Sequence, residues 1–322
     1  MNVLPWQTEA FTALQQRRQA GNLPHALLLT GPEGIGRRHF AEALAASLLC
    51  LSPHADGSAC GNCQACQLRQ AGTHPDLLTL SPEESRVIRI DQIREMIERL
   101  GLSRHHAAWR VVIIEPAEAM NVAAGNALLK TLEEPPPETL LILLASRPAL
   151  LPATIRSRCQ RLPLAMPARA EALAWLEAQG VERAETLLEL AGGAPLIALA
   201  LGQEALARHG TLFRQWIDLA DGRADPVKLA AEWIKPDAEW PIQWIQAWVG
   251  DMIRLRQGAR ARQAETEGAL QKLAGTIDLV RLHRLLDQVQ EARRLLGSQV
   301  NEQTILEGIL IYWANLPRQA RT

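Results

Sequence analysis

The sequence predicts an α/β amino-terminal half built on a mostly parallel sheet, followed by an all-helical carboxy-terminal half. In the first half, apolar runs of strand length recur between segments of helical composition, most clearly at residues 110–115 and 140–145. Continuous apolar runs are typical of strands that are covered on both faces, as in parallel sheets with helices on either side. After about residue 208 the pattern is helical, with no convincing strand.

The first half is expected to contain five strands, at residues 25–30, 76–80, 86–90, 110–115 and 140–145. The first strand ends at a glycine-rich turn, and helical composition follows over residues 37–49. Asp91 is a suitable N-cap for a helix that runs to about Leu100. Another helix is predicted over residues 121–134, and it should stop at three consecutive prolines.

The second half is expected to begin with three short helices, at residues 167–179, 183–190 and 195–203. Six of the nine tryptophans follow in the helical region beyond residue 208. Trp240, Trp244 and Trp248 are spaced four residues apart, so they share one face of a helix. This periodicity favours a buried packing face over the alternative, a subunit interface.

Composition excludes several classes of protein. The net charge of −1 argues against a strongly basic, stand-alone nucleic-acid binder, but it allows a subunit that touches nucleic acid within an assembly. No window reaches about 18 uninterrupted apolar residues, so no membrane span is expected. The amino terminus has neither the basic region nor the apolar stretch of a signal peptide. These features, with an odd number of cysteines, favour a reducing cytoplasm.

The glycine-rich turn departs from an active phosphate-binding loop at the two positions that act on nucleotide. Between Gly31 and Gly36 it keeps the glycine spacing of G-x-x-x-x-G-K-[ST]. Arg37 stands in place of the lysine that reaches the β- and γ-phosphates, and Arg38 stands in place of the hydroxyl that ligates Mg²⁺. A guanidinium cannot ligate Mg²⁺, and its planar fork does not replace a lysine. We therefore favour a scaffold without productive ATP binding over a loop that still binds nucleotide.

The end of the strand at residues 110–115 supports that interpretation. Active ATPases of this type end such a strand with Asp-Glu, in which the glutamate polarises the attacking water. Here the strand ends in Glu115-Pro116, and a proline side chain cannot act as a base. Arg37, Arg38 and Pro116 thus all argue against hydrolysis.

Four of the five cysteines crowd into 17 positions, with the spacing C-x9-C-x2-C-x2-C. Four thiolates in so short a segment suit a closed, tetrahedral structural zinc site. An iron–sulfur centre and unligated thiols are the alternatives, although the spacing differs from the ferredoxin run. His54 and His74 are expected to be ordinary surface residues. The predicted ligands are Cys50, Cys60, Cys63 and Cys66.

A second candidate site is the string Ser157-Arg158-Cys159, which follows the last predicted strand. An arginine in a loop is ordinarily a solvated surface charge. The functional alternative is an arginine finger, which reaches the γ-phosphate of a neighbouring subunit and stabilises charge in the transition state. The tripeptide by itself does not decide between the two.

Taken together, these motifs give the chain a family resemblance. It resembles the delta-prime family of subunits in the bacterial DNA polymerase III clamp loader. The matching features lie in family order over about residues 25–196. They are the degenerate loop, the four-cysteine insertion, the Glu115-Pro116 strand end, the string Asn-Ala-Leu-Leu-Lys-Thr-Leu-Glu-Glu-Pro-Pro at 126–136, Ser157-Arg158-Cys159, and Gly-Gly-Ala-Pro at 192–195.

The resemblance implies three domains: an AAA+ α/β domain over residues 1–166, a small helical lid over 167–207, and a helical collar over 208–322. The four cysteines, in a module at about residues 50–66, would hold structural zinc. Leu196 falls about where active members place a lid arginine that contacts phosphate, a further departure from an ATPase.

The resemblance also implies a function. Members are non-hydrolysing stators in a cytoplasmic complex with the delta subunit and the ATP-hydrolysing gamma or tau subunits. The complex belongs to a DNA polymerase holoenzyme, and it loads the sliding clamp onto primed DNA during replication. Arg158, beside Ser157, would be the arginine finger offered in trans, with Arg156 as the fallback candidate. The isolated chain would not be an enzyme.

Two other functions remain open from the residues alone. An active clamp-loader ATPase would need Arg37 to substitute for lysine and another group to replace the glutamate base. A zinc-bearing DNA-binding module is the other alternative, although the net charge and the lack of a basic run near the cysteines count against it.

Overall fold

The computed structural model describes residues 3–83, 86–101, 108–235, 237–296 and 300–316. The chain forms two compact units. The first comprises Met1–Gly180 with Gly193–Ile197, and the second comprises Val181–Gly192 with Ala198–Thr322. Residues 167–207, expected to form a lid, are divided between the units. The expected division into three domains stays a prediction.

The first unit is built on a parallel sheet of five strands in the order β2-β3-β4-β1-β5. The strands are β1 (Ala26–Thr30), β2 (Leu77–Leu80), β3 (Arg110–Ile114), β4 (Thr139–Ala145) and β5 (Gln160–Pro163). The three central strands, β3, β4 and β1, are buried along their whole length. The sequence-based prediction of a mostly parallel sheet with apolar central strands is therefore confirmed.

Helices cover both faces of this sheet. The helices of this unit are α1 (Thr8–Gln19), α2 (Arg37–Leu49), α3 (Gln64–Gln70), α4 (Ile90–Gly101), α5 (Val122–Glu133), α6 (Ala153–Arg156) and α7 (Arg169–Ala178). Alternate side chains of each strand enter two separate apolar cores because successive residues of a strand point to opposite faces. Leu28 and Leu141 pack with α4 and α5 on one face, whereas Leu27 and Leu140 pack with α1 and α2 on the other.

Two local predictions for this unit are wrong. Residues 86–90 do not form a strand, since Ile88 makes only an isolated bridge to Met120 and Ile90 already begins α4. Asp91 lies inside the first turn of α4 and is not its N-cap. The side chain of Gln92 instead accepts a hydrogen bond from the backbone N–H of Arg89, at 2.9 Å, and so satisfies an N–H group at the helix start.

The sequence prediction also omitted β5. This strand lies at the sheet edge beside β1, and three of its four residues are exposed. Because an edge strand has solvent on one side, it lacks the apolar run that identifies a central strand.

The second unit is helical throughout its described residues. Its helices are α8 (Ala184–Leu190), α9 (Pro195–Ala220, whose first residues belong to the first unit), α10 (Pro226–Trp233), α11 (Glu239–Arg256), α12 (Ala264–Thr276), α13 (Leu279–Leu295) and α14 (Glu302–Ala314). Gly202 has non-helical backbone angles and interrupts α9, so the predicted end near residue 203 corresponds to a real break.

The core of the second unit is centred on tryptophans. Trp216 and Trp313 stack in parallel, with ring centroids 4.2 Å apart, and neither is exposed. Trp244 and Trp248 are 1% exposed, and Trp240 is half-buried against the same core. The stripe predicted on α11 is therefore a packing face. Among the described residues, no single helix could cross a membrane, and only the bent pair Ala184–Leu190 with Pro195–Gly202 meets the length and composition criteria together.

Candidate functional site

The glycine-rich turn lies at the carboxyl edge of the sheet, between β1 and α2. Gly36 has a φ of +87°, and a Cβ there would lie 2.3 Å from Cδ1 of Leu4. A Cβ on Gly34 would similarly lie 2.5 Å from Cγ1 of Ile197. The carbonyl of Gly34 accepts a hydrogen bond from the backbone N–H of Leu196 at 3.0 Å. The chain's own apolar residues therefore pack closely on the glycines of this turn.

The amino-terminal segment also makes hydrogen bonds to the glycine-rich turn. The indole Nε1 of Trp6 donates to the carbonyl of Ile35 at 2.9 Å. The side-chain amide of Gln7 donates to the carbonyls of Ile35 and Gly36, at 3.0 and 2.8 Å. Both Gln7 and Ile35 are 0% exposed. These buried hydrogen bonds fix the backbone of the turn within the chain itself.

Arg38 is paired with the strand end that would carry the metal-supporting carboxylate of an active ATPase. Its NH1 lies 3.3 Å from Oε2 of Glu115, and its Nε donates to Oε1 of Glu42 at 3.1 Å. Glu115 follows β3, and Arg38 lies in the first turn of α2. A guanidinium thus faces the carboxylate at the position where an active site would use Mg²⁺.

The environment of Glu115 explains why it needs a cation. Burial raises the pKa of this carboxyl group, and the nearby charges of Arg38 and Arg37 oppose that shift. The Arg38 contact has the distance of an ion pair, but Oε2 of Glu115 is buried and accepts no hydrogen bond. Arg38, one of the departures from an ATPase, is therefore the ionic partner of the carboxylate at the end of β3.

A second carboxylate near this edge was not foreseen from the sequence. Oε1 of Glu118 accepts hydrogen bonds from the backbone N–H and the hydroxyl of Ser146, at 3.0 and 2.7 Å, and from the N–H of Arg147 at 3.0 Å. Burial alone would raise the pKa of Glu118, but a hydrogen bond from its own backbone N–H and those from Ser146 and Arg147 together outweigh burial and lower the pKa. Glu118 therefore fixes the turn after β4. Its only signal in the sequence was an acidic residue shortly after a strand end.

Arg158 lies between α6 and β5, and its guanidinium is bound to Glu133, the last residue of α5. Nε donates to Oε1 of Glu133 at 2.8 Å, and NH2 contacts the same oxygen. NH1 donates to the carbonyl of Thr154 at 3.0 Å and contacts the hydroxyl of Ser157 at 3.4 Å. Ser157 and Arg156 are both exposed. Arg158 is thus a surface arginine whose orientation is held by its own chain.

The four cysteines predicted as metal ligands come together where α2 ends and α3 begins. All four Sγ atoms lie within 4.8 Å of one another. Sγ of Cys50 is 3.5 Å from that of Cys60 and 3.9 Å from that of Cys63. A tetrahedral Zn²⁺ with bonds of about 2.3 Å requires sulfur atoms about 3.8 Å apart. The cluster can therefore hold a metal ion, and its geometry suits zinc.

Hydrogen bonds favour the thiolate forms of Cys60 and Cys63, whereas burial raises the pKa of Cys50 and raises that of Cys66 to about 12. The backbone N–H of Cys60 donates to Sγ of Cys50 at 3.3 Å. The backbone N–H of Cys63 donates to Sγ of Cys60 at 3.4 Å. Burial opposes ionisation of Cys63, but hydrogen bonds from the backbone of Cys66 and Leu51 contribute to lowering its pKa to about 6. Cys159 does not belong to this cluster; it is buried in the sheet core, and burial raises its pKa to about 12.

The neighbouring histidines lie outside the cluster. His54 is exposed, as expected, but the expectation for His74 is wrong, because His74 is 4% exposed and its Nδ1 accepts the backbone N–H of Asp76 at 3.1 Å.

Comparisons with known proteins cover almost the whole chain. Residues 6–168 match the family described as DNA polymerase III, delta subunit, and residues 203–315 match its C-terminal family. The DNA polymerase III subunit delta' of Pseudomonas aeruginosa is 36% identical, over 98% of both chains. That of Escherichia coli is 34% identical, over 97% of this chain and 95% of its own.

Solved structures add a likeness in fold. A gamma subunit-related protein of DNA polymerase III from Thermotoga maritima matches with a TM-score of 0.51 and 20% identity, over 96% of this chain and 99% of its own.

Proposed function

The chain belongs to the family of DNA polymerase III delta-prime subunits, and from this premise we propose that it is a stator of the replicative clamp loader that does not hydrolyse ATP. The proposal includes the partners that the family resemblance implies: delta, the ATP-hydrolysing gamma or tau subunits, the sliding clamp and primed DNA. It also includes a cytoplasmic location.

The observation that carries the absence of hydrolysis is the pairing of Arg38 with Glu115. In an active site, a hydroxyl at the start of the helix and the carboxylate at the strand end together support Mg²⁺. Here Arg38 of α2 stands at the position of that hydroxyl, and a guanidinium cannot ligate the metal. Pro116 supplies no base, and Leu196 brings an apolar side chain rather than a cation to the turn. The intramolecular hydrogen bonds of Trp6 and Gln7 stabilise the turn without a phosphate.

The stator's contribution to catalysis would be Arg158. The Arg158 side chain is 34% exposed, so it can meet a neighbouring subunit without unfolding of its own domain. An arginine finger supplied in trans contributes on the order of 10³–10⁵ in rate at the site that it completes. The residue would act on ATP bound to an adjacent gamma or tau subunit.

The cysteine cluster would hold structural Zn²⁺ through Cys50, Cys60, Cys63 and Cys66. Four thiolates complete a tetrahedral shell, so no coordination position is left for a substrate. When bound, the ion would tie the end of α2 to the start of α3. This module therefore stabilises the first unit and does not take part in catalysis.

Calorimetric titration of the purified chain with Mg·ATP tests the absence of a working nucleotide site. We expect no binding heat and no phosphate release. Clear binding followed by turnover would overturn the proposal in favour of an active clamp-loader ATPase.

The finger is tested in the assembled complex by DNA-stimulated ATP hydrolysis. Arg158→Ala should slow ATP hydrolysis at the site that faces this chain while leaving assembly and the thermal unfolding temperature unchanged. Arg156→Ala is the matched control, since it removes an exposed arginine two residues away. Equal rates for wild type and Arg158→Ala would refute the assignment, and a loss with Arg156→Ala alone would move the role to that residue.

A further inference from the structure

The guanidinium of Arg158 is ordered although it lies at the surface. An exposed arginine ordinarily samples many rotamers, and fixing such a side chain costs conformational entropy. Here three acceptors from two segments hold it: Glu133 at the end of α5, and Thr154 and Ser157 beside Arg158 itself. The group is therefore oriented before any partner binds.

Both segments rest on a rigid base. Leu128 and Leu132 of α5 are buried in the sheet core, and Ile155 of α6 is 0% exposed in the same core. α5 also meets α6 at Gly125, where a Cβ would lie 3.4 Å from Cδ1 of Ile155. The carboxylate of Glu133 thus stands at a fixed point beside the segment that carries the arginine.

The geometry of the contact leaves the arginine able to donate elsewhere. Nε and NH2 converge on one oxygen of Glu133, while the other oxygen of this half-exposed carboxylate accepts nothing from Arg158. A guanidinium has five N–H donors in a planar fork, and these contacts do not use all of them. The four contacts made by Nε, NH1 and NH2 leave one of the five N–H donors for a phosphate of a neighbouring subunit.

We propose that Glu133 is a positioning residue for Arg158: it holds the guanidinium in the orientation that meets the ATP of the adjacent subunit. This inference rests on the proposed role of Arg158 as an arginine finger. Glu133 does not touch the nucleotide in this scheme. It raises the fraction of complexes in which Arg158 is already in place, so it acts on the rate of hydrolysis and not on the binding of ATP.

The test uses the assembled clamp loader with DNA-stimulated ATP hydrolysis, measured as kcat and KM. Glu133→Ala should lower kcat at the site facing this chain by about two- to fivefold, the population change that an exposed ion pair supports. KM for ATP should not change. Glu133→Gln keeps an acceptor oxygen, so its kcat should lie between the kcat of the wild type and that of Glu133→Ala. Glu134→Gln, the exposed neighbour, is the matched control and should behave as wild type.

Double variants separate this inference from the proposed function. If Glu133 acts through Arg158, adding Glu133→Ala to Arg158→Ala should cause no further loss. A further loss in that background, or a wild-type rate for Glu133→Ala when Arg158→Ala is slow, would overturn the positioning role while leaving the finger intact. A faster rate for Glu133→Ala would also overturn it, because Glu133 would then restrain the arginine. A wild-type rate for Arg158→Ala would refute the proposed function itself.

Discussion

Removing the guanidinium of Arg38 should destabilise the first unit, and most of the penalty should disappear when Glu115 is made neutral as well. Arg38→Ala leaves a carboxylate whose side chain is only 22% exposed without its facing cation. Glu115→Gln removes the charge that burial disfavours, so this change alone should be close to neutral. The double variant should therefore be more stable than Arg38→Ala.

The magnitude follows from the geometry of the pair. At 3.3 Å, and with an effective dielectric constant of about 20, the Coulomb attraction is on the order of 5 kcal/mol before desolvation is subtracted. Exposed pairs retain about 0.2–1 kcal/mol of such attraction, whereas breaking a buried pair costs about 3–5 kcal/mol. Arg38 is 57% exposed and Glu115 mostly covered. We therefore expect Arg38→Ala to cost about 1–2 kcal/mol, between these two limits.

Hydrogen exchange followed by mass spectrometry suits the measurement because it reports the free energy of opening for α2 and β3 separately from the second unit. Arg94→Ala is the control, since it breaks the exposed contact of Arg94 with Asp91 and should cost less than about 0.5 kcal/mol. If the effects of Arg38→Ala and Glu115→Gln add within about 0.5 kcal/mol, the two groups do not interact and the reasoning is refuted.

Three further predictions concern the metal cluster and the second unit. Cys63→Ser should lose the bound metal in elemental analysis and lower protection around α3, whereas Cys159→Ser should keep the metal; a wild-type chain without metal would contradict the zinc proposal. Burial lowers the pKa of His209 to about 4, below the ~6.5 of an unfolded histidine, so its contribution to stability is present above about pH 6.5 and is lost as the pH falls toward 4. In the His209→Gln variant, the urea-unfolding midpoint of the second unit should depend less on pH between those two values. If the midpoint changes with pH as steeply as in the wild type, His209 is not the cause of the pH dependence. Trp216→Leu should cost about 2–5 kcal/mol in the same assay because it empties the stack with Trp313, whereas Ile311→Ala, at a 40% exposed position, should cost less than about 1 kcal/mol.

Among the strands, those whose environment is apolar on both faces have the clearest signal in the sequence. β1, β3 and β4 are buried along their length, so their sequences are continuous apolar runs. β5 could not be found in this way, because it lies at the sheet edge and three of its four residues are exposed. The false strand at 86–90 arose from the opposite error: Ile88 is apolar because one residue is inserted into the core, not because a strand continues through it.

Site residues that are close together in the chain could be predicted from the sequence, whereas those that are far apart in the chain could not. The four cysteines could be predicted as one cluster because they are close in the chain, and residues near in sequence can converge with little constraint from the rest of the fold. Glu118 and Ser146 could not, because 28 residues separate them. They meet only because β3 and β4 are parallel neighbours whose carboxyl ends lie at one edge of the sheet.

The sequence specifies which side chains stand at each position: arginines and a proline where an active ATPase carries a lysine, a hydroxyl and a base, and four thiols spaced for one metal ion. The pairing of these side chains is visible in the fold alone, which places Arg38 against Glu115 and Arg158 against Glu133. The physical reason is that the identity of a side chain is local, whereas its electrostatic partner depends on where distant strands and helices bring their ends together.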